Sequence, residues 1–161
     1  MIIDKNGSVF ETTCRYIAHQ VNCKGVMGGG VALQIAQKYP EVLSEYQSFC
    51  KQQTGDKLLG IAQFVPTHDG KTIVNLFGQN SYGSQFLHPK RFTDYQALRS
   101  SLLSTVEIIQ NIVIRKTQPI YIAIPKYIGC GRGGGSWTEV LKIINDIFGG
   151  QDMINCEIWE I

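Results

Sequence analysis

The chain lacks the markers of several large functional classes. Its five cysteines (Cys14, Cys23, Cys50, Cys130 and Cys156) include no C-x-x-C pair, which argues against a zinc site. Their odd number argues against a disulfide framework, so free thiols are expected. No segment approaches the ~20 consecutive apolar residues needed to span a bilayer, and no membrane role is expected. Charge of one sign is also scarce. A formal net charge of +2, with Lys and Arg dispersed along the chain, does not provide the clustered basic surface that nucleic-acid backbones require. Only three histidines occur, and none belongs to a His/Asp/Glu cluster at ligand spacing, so no metal is expected and no cofactor is implied. The opening residues Met1-Ile2-Ile3-Asp4-Lys5 have neither the basic start nor the long apolar stretch of a secretory signal. The first strand is therefore expected to begin at once, and the protein to be cytoplasmic. Two nucleotide fingerprints are missing as well: the glycines do not fall at G-x-x-x-x-G-K-[ST] or G-x-G-x-x-G spacing, so ATP hydrolysis is not indicated.

What the chain does contain suits one folded domain over residues 1–161, with a single core. Hydrophobic content is 43% and charged content 17% of 161 residues, ordinary for a globular protein. Short β-branched runs read as strands at Arg15 to Ala18, Ile61 to Val65, Thr72 to Phe77, Ile120 to Ile124 and Cys156 to Ile161. Helical spacing of apolar residues marks Gly30 to Lys38, Glu41 to Gln53, Thr93 to Arg115 and Trp137 to Phe148, with Pro40 suited to a helix start. Strands separated by helices imply an α/β fold with a mixed, largely parallel sheet covered on both faces. The polar segment Gln79 to Arg91 is the longest candidate loop, a lid or pocket wall.

The most informative stretch runs from Ala18 to Ala32 and holds four glycines in the six positions Gly25 to Gly30. A backbone leaving a strand, crossing these glycines and entering a helix exposes consecutive N–H groups and the positive end of a helix dipole, which is anion-binding geometry. A second glycine-rich loop, Pro125 to Ser136, follows a later strand. Both loops are expected at the carboxyl ends of strands, facing one cleft. Two such loops, one led by an Asn, suit a diphosphate held between two sugars.

The residues His19-Gln20-Val21-Asn22-Cys23-Lys24-Gly25-Val26-Met27-Gly28-Gly29-Gly30-Val31-Ala32-Leu33-Gln34, then Lys38-Tyr39-Pro40, Ile124-Pro125, Ile128-Gly129-Cys130-Gly131 and Trp137 resemble the macrodomain family. The resembling branch holds the ADP-ribose-1''-phosphate phosphatases and the ADP-ribosyl-ester and DNA ADP-ribosyl hydrolases. The resemblance implies a three-layer α/β/α sandwich that binds ADP-ribose or ADP-ribose-1''-phosphate, with nucleic acid entering only as an ADP-ribosylated substrate. It implies that Asn22 bonds the distal ribose and that Gly28, Gly29, Gly30 and Val31 approach the ribose and diphosphate. Ile128, Gly129, Cys130, Gly131, Arg132 and Gly133 wrap the phosphates in the same reading. Ser8 stands where relatives carry an acidic or amide residue that reads adenine, and Tyr82 and Trp159 are aromatic candidates for stacking. Asn80 and Tyr82 are candidates to cover the distal ribose.

The chain departs from the lysine and aspartate of the ester and DNA hydrolases. The segment after Phe77 reads Gly78-Gln79-Asn80-Ser81-Tyr82-Gly83, and the second loop has no carboxylate. A phosphatase reading follows, with His19 and Asn22 as the catalytic pair, because an imidazole titrating near ~6.5 suits proton transfer at neutral pH. A buried histidine that merely fixes the loop is the competing account of His19. Two further readings remain open, an ADP-ribose reader without chemistry and an ADP-ribosyl hydrolase acting on protein, nucleic acid or a related signalling nucleotide. His88 and Lys90 belong to the site only if the long loop folds over it. His68, beside Asp69-Gly70, reads as a hairpin turn.

Overall fold

The computed structural model describes residues 1–83, 90–112 and 117–161. Six strands, β1 (Ile2–Asn6), β2 (Tyr16–Asn22), β3 (Ala62–Pro66), β4 (Thr72–Gln79), β5 (Ile120–Pro125) and β6 (Ile154–Glu160), form one sheet in the order β1-β6-β5-β2-β4-β3. All neighbours are parallel except β3 and β4. Those two are antiparallel because they are joined by the tight turn at His68-Asp69-Gly70, where Gly70 has a φ of +87°. Parallel neighbours need long crossovers, and the helices supply them.

The helices are α1 (Gly30–Lys38), α2 (Pro40–Gln52), α3 (Gly55–Leu58), α4 (Tyr95–Ile112) and α5 (Trp137–Phe148). Bounds for α1 and α5 agree with the apolar spacing, while the segment 113–116 of the expected fourth helix lies outside the described residues. The short α3 and a 3-10 turn at Val9–Glu11 went unread, since neither is long enough to carry a period.

The sheet divides the apolar interior into two clusters rather than the one core expected. On one face Ala18, Val74, Leu76, Ile122 and Ile124 pack against Leu98, Leu102 and Ile109 of α4 and Val140, Ile144 and Phe148 of α5. On the other, Ile17, Val21, Ile73, Phe77 and Ala123 pack against Ile35 of α1, Tyr39 at the junction of the two helices, and Val42 and Tyr46 of α2. Alternate residues of β2 therefore serve opposite layers, as a strand between two helical layers requires. Among the described residues no helix is long and apolar enough to cross a membrane.

Candidate functional site

β2 and β5 are paired only at Tyr16 with Ile122 and Ile17 with Ala123. Beyond Ile17 the two strands part, and a cleft of about 480 Å³ opens across the carboxyl ends of β5, β2 and β4, the usual place for a ligand in a sheet of this kind. Its walls are His19 to Asn22, the first glycine loop with the start of α1, the second loop from Pro125 to Gly133 without Cys130, and Gln79, Tyr82 and Gly83. Among the described residues the lining carries two cations, Lys126 and Arg132, and no carboxylate.

Asn22 is the knot of the first loop. Its Oδ1 accepts from Lys24 N at 2.9 Å, and its Nδ2 donates to Val26 O at 2.8 Å. The buried Tyr46 hydroxyl lies 2.6 Å from Asn22 O and 2.8 Å from Asn22 Oδ1 and shares its one proton between them. These internal bonds occupy Oδ1 and one Nδ2 hydrogen, which leaves the other Nδ2 hydrogen for the ribose contact that the resemblance implies. Tyr46, which no local pattern marks, supports the loop from α2. Gly25 and Gly30 carry φ values of +78° and +57°, conformations that glycine alone adopts at little cost.

The two loops touch across the cleft mouth. A Cβ built on Gly29 would overlap the Arg132 guanidinium, so that side chain lies directly on the glycine backbone at the N-terminus of α1. An anionic group beside this helix start would meet both the guanidinium and the backbone N–H groups.

Under the second loop lies a network that sequence reasoning missed. Gln20 Nε2 donates to Gln79 Oε1 at 2.7 Å and to Thr93 Oγ1 at 2.8 Å, and Thr93 Oγ1 donates to Gly129 O at 2.7 Å. Phe92 N and Thr93 N both donate to Gly133 O. These residues are far apart in sequence, and only the folded sheet brings them together.

His19 lines the cleft but is 2% exposed. Asn75 donates through Nδ2 to Gln63 Oε1, so its Oδ1 is the acceptor facing His19 Nε2 at 2.6 Å. That assignment places the proton on Nε2 and the lone pair on Nδ1, which has no partner among the described residues. Burial lowers the imidazole from 6.5 to about 4, partly offset by the Asn75 bond. A base whose folded pKa is depressed binds fewer protons folded than unfolded, so stability is expected to fall as pH drops from about 6.5 toward about 4. By pH 4.5 about 2–3 kcal/mol should be lost, and denaturant titration of wild type against His19→Gln checks it. Equal losses in both proteins would contradict the burial argument.

Three expected contact residues do not line the cleft. Ser8 is turned inward to its own turn, its Oγ accepting from Phe10 N at 3.3 Å. Asn80 points toward Gly55, where an added Cβ would overlap its Oδ1. Cys130 directs its Sγ to Ile128 O at 3.4 Å, and burial pushes its thiol up to about 11. Cys23, beside the first loop, is likewise raised to about 11 by burial and donates to Gln79 O, which makes neither thiol a nucleophile near neutral pH. Trp159 does not line the cleft either; its Nε1 donates to Glu157 Oε2 at 2.8 Å. Tyr82 does line it and is 52% exposed. The Lys90 ammonium sits 5.3 Å from the Phe92 ring centroid and is absent from the lining. His88 lies outside the described residues. His68 stays at the hairpin, bonded to Glu41 at 2.6 Å.

Similarity to known proteins agrees with this geometry. The chain is 29% identical over 143 residues to a DNA ADP-ribosyl glycohydrolase of Mycobacterium tuberculosis, covering 87% of this chain and 36% of that protein. It is 36% identical over 80 residues to an ADP-ribose 1''-phosphate phosphatase of Candida glabrata, covering 46% of this chain and 44% of the relative. The chain thus spans less than half the length of either. The solved macrodomain of Mycobacterium tuberculosis DarG superposes with a TM-score of 0.81 at 26% identity, over 100% of this chain and 98% of that one. The Macro domain family model matches residues 18–144, which hold both glycine loops, β3, β4, β5 and most of β2, and the chain belongs to that family.

Proposed function

We propose that the protein binds ADP-ribose in this cleft and hydrolyses the terminal phosphate of ADP-ribose-1''-phosphate. The observation that carries the reading is the pair of facing glycine loops lined, among the described residues, by two cations and no carboxylate. Such a lining favours a ligand with several negative charges that approaches the backbone closely. ADP-ribose is common to the names of the relatives of both kinds.

In this reading the diphosphate lies between the N–H groups of Gly28, Gly29 and Gly30 and those of Gly129, Gly131 and Gly133, beneath Arg132. The distal ribose lies against Asn22 and Val31. A water oxygen forms the new P–O bond while the bond from phosphorus to the 1'' oxygen breaks. The proton lost by water is taken up by that leaving oxygen, giving ADP-ribose and inorganic phosphate. Negative charge on the phosphoryl oxygens is met by the Arg132 fork and the backbone N–H groups. His19 is neutral at pH 7, and the phosphatase reading requires its buried Nδ1 to open to the attacking water.

One observation favours a second reading, an ADP-ribose reader: Nδ1 of His19 is closed off from solvent, and a base near 4 is a weak one. Hydrolysis of ADP-ribosylated DNA draws support from the mycobacterial relative. Against it, Lys126, the lysine in the cleft, is held by Glu160 at 2.6 Å.

The test is phosphate release from ADP-ribose-1''-phosphate by wild type and His19→Gln, with release of ADP-ribose from modified DNA measured in parallel. Phosphate release that falls by about 10²-fold in the variant is the expected result. Tight ADP-ribose binding with no release of either product would replace the phosphatase with a reader.

A further inference from the structure

Glu157 on β6 is 8% exposed, and its Oε2 accepts from two neutral donors, Thr12 Oγ1 at 2.9 Å and Trp159 Nε1 at 2.8 Å. Among the described residues its Oε1 receives no N–H or O–H, and no Lys, Arg or His pairs with the carboxylate. Lys71 donates instead to Thr12 O and Cys14 O, both at 2.7 Å. A carboxylate this deep ordinarily has a cation beside it. The buried side-chain atoms without a partner are His19 Nδ1, Gln20 Oε1 and Asn155 Oδ1, so Glu157 Oε1 faces open space. That space is a second cavity of about 500 Å³, at the amino ends of β2 and β5 and away from the glycine loops. α1 packs on β2 and α2 on β3, which leaves the cavity beside β1 and β6. Ile3, the register partner of Glu157, forms an apolar wall with Ile120 and Tyr121, and the exposed Lys5 and Arg15 complete the lining with cations. The Cys14 thiol in the same wall is pushed up to about 11 by burial, with Glu157 adding to the rise, and brings no second anion at neutral pH.

We propose that this cavity is a second ligand site, for a small zwitterion whose opposite charges stand at its two ends. An ammonium or guanidinium group meets Glu157 Oε1 and supplies the cation that the buried carboxylate lacks. A carboxylate at the other end lies between Lys5 and Arg15, and the methylene stem joining the two packs on Ile3, Ile120 and Tyr121. Free lysine and arginine have this form, and the volume is of the size that holds small molecules. The site is independent of the ADP-ribose reading, since it shares no lining residue with the first cleft.

Amide chemical shifts followed during titration with 6-aminohexanoate, hexylamine and hexanoate test the assignment in wild type, Glu157→Gln and Arg15→Gln. The first probe carries both charges on one stem, and each of the others lacks one of them. Glu157→Gln keeps an oxygen for Thr12 and Trp159 but puts an amide N–H₂ where Oε1 stood, and Arg15→Gln removes only an exposed charge. In wild type, 6-aminohexanoate should shift the amides of Ile3, Tyr121 and Glu157 saturably and leave the glycine loops unmoved. Hexanoate, without the cation, and Glu157→Gln should each weaken binding about tenfold or more. Hexylamine and Arg15→Gln, which lose only the rim pairing, should cost about threefold. Absence of a saturable shift with 6-aminohexanoate, equal binding of hexanoate, or unchanged binding in Glu157→Gln overturns the proposal. Should Glu157→Gln fail to fold, the wild-type comparison of 6-aminohexanoate with hexanoate decides alone. ADP-ribose titrated into the same samples should bind all three proteins alike, and its failure to bind wild type would count against the first cleft and not against this site.

Discussion

Asn22→Ala is expected to weaken ADP-ribose binding by about 1–3 kcal/mol, roughly five- to 150-fold, and to lower the unfolding free energy by a similar amount. Both effects have one source. Asn22 is 8% exposed, and its side chain satisfies Lys24 N and Val26 O while accepting from the Tyr46 hydroxyl. Truncation leaves those groups without partners in a loop that exists to present N–H groups. The Tyr46 proton keeps Asn22 O at 2.6 Å, so the loop loosens rather than unfolding. Isothermal titration and urea denaturation of the same preparation check the pair. Lost affinity at unchanged stability would mean that Asn22 acts through the ligand alone, as the resemblance first implied. Asn22→Asp is the useful companion. It keeps the acceptor, loses the donor to Val26 O and adds a negative charge beside the proposed diphosphate, so it should bind ADP-ribose at least as poorly as Asn22→Ala while being the more stable of the two.

Gly133→Ala should be as damaging, for a steric reason. A Cβ there would overlap Thr93 Oγ1 and stand 2.6 Å from Gly129 O. The second obstacle is backbone and cannot rotate away. Gly129 O already accepts from Thr93 Oγ1 and from Gly135 N at 2.8 Å, so making room means breaking the bonds that shape the second loop. Overpacking of this kind costs about 1–3 kcal/mol, and the displaced N–H groups should lower ADP-ribose affinity more than tenfold. Gly131→Ala is the control, since a Cβ there meets nothing within 4 Å and stability should hold. If Gly133→Ala melts and binds like wild type, the second loop is not the rigid cradle described here.

Much of the fold was legible because its signals are local. α1 begins where the glycines end, α5 begins at Trp137, and the antiparallel hairpin is written in His68-Asp69-Gly70. β2 was cut short at Ala18 because His19, Gln20 and Asn22 look polar. The strand continues through them because each finds a polar partner: Asn75 for His19, Gln79 and Thr93 for Gln20, and the first loop with Tyr46 for Asn22. Such long-range pairs leave no periodicity. The same limit hid the left-handed backbone of Tyr127 and its contacts with Trp137 and Glu160. It also left the chemistry of His19 open, since an imidazole that looks suited to proton transfer at neutral pH is, once buried against Asn75, displaced to about 4.

The measurement that bears most directly on the central claim is calorimetric titration of the wild-type protein with ADP-ribose, run beside Gly133→Ala. Saturable one-to-one binding that the second-loop variant loses is the predicted result. Absence of binding to the wild type, or binding indifferent to Gly133, would contradict the assignment of the cleft.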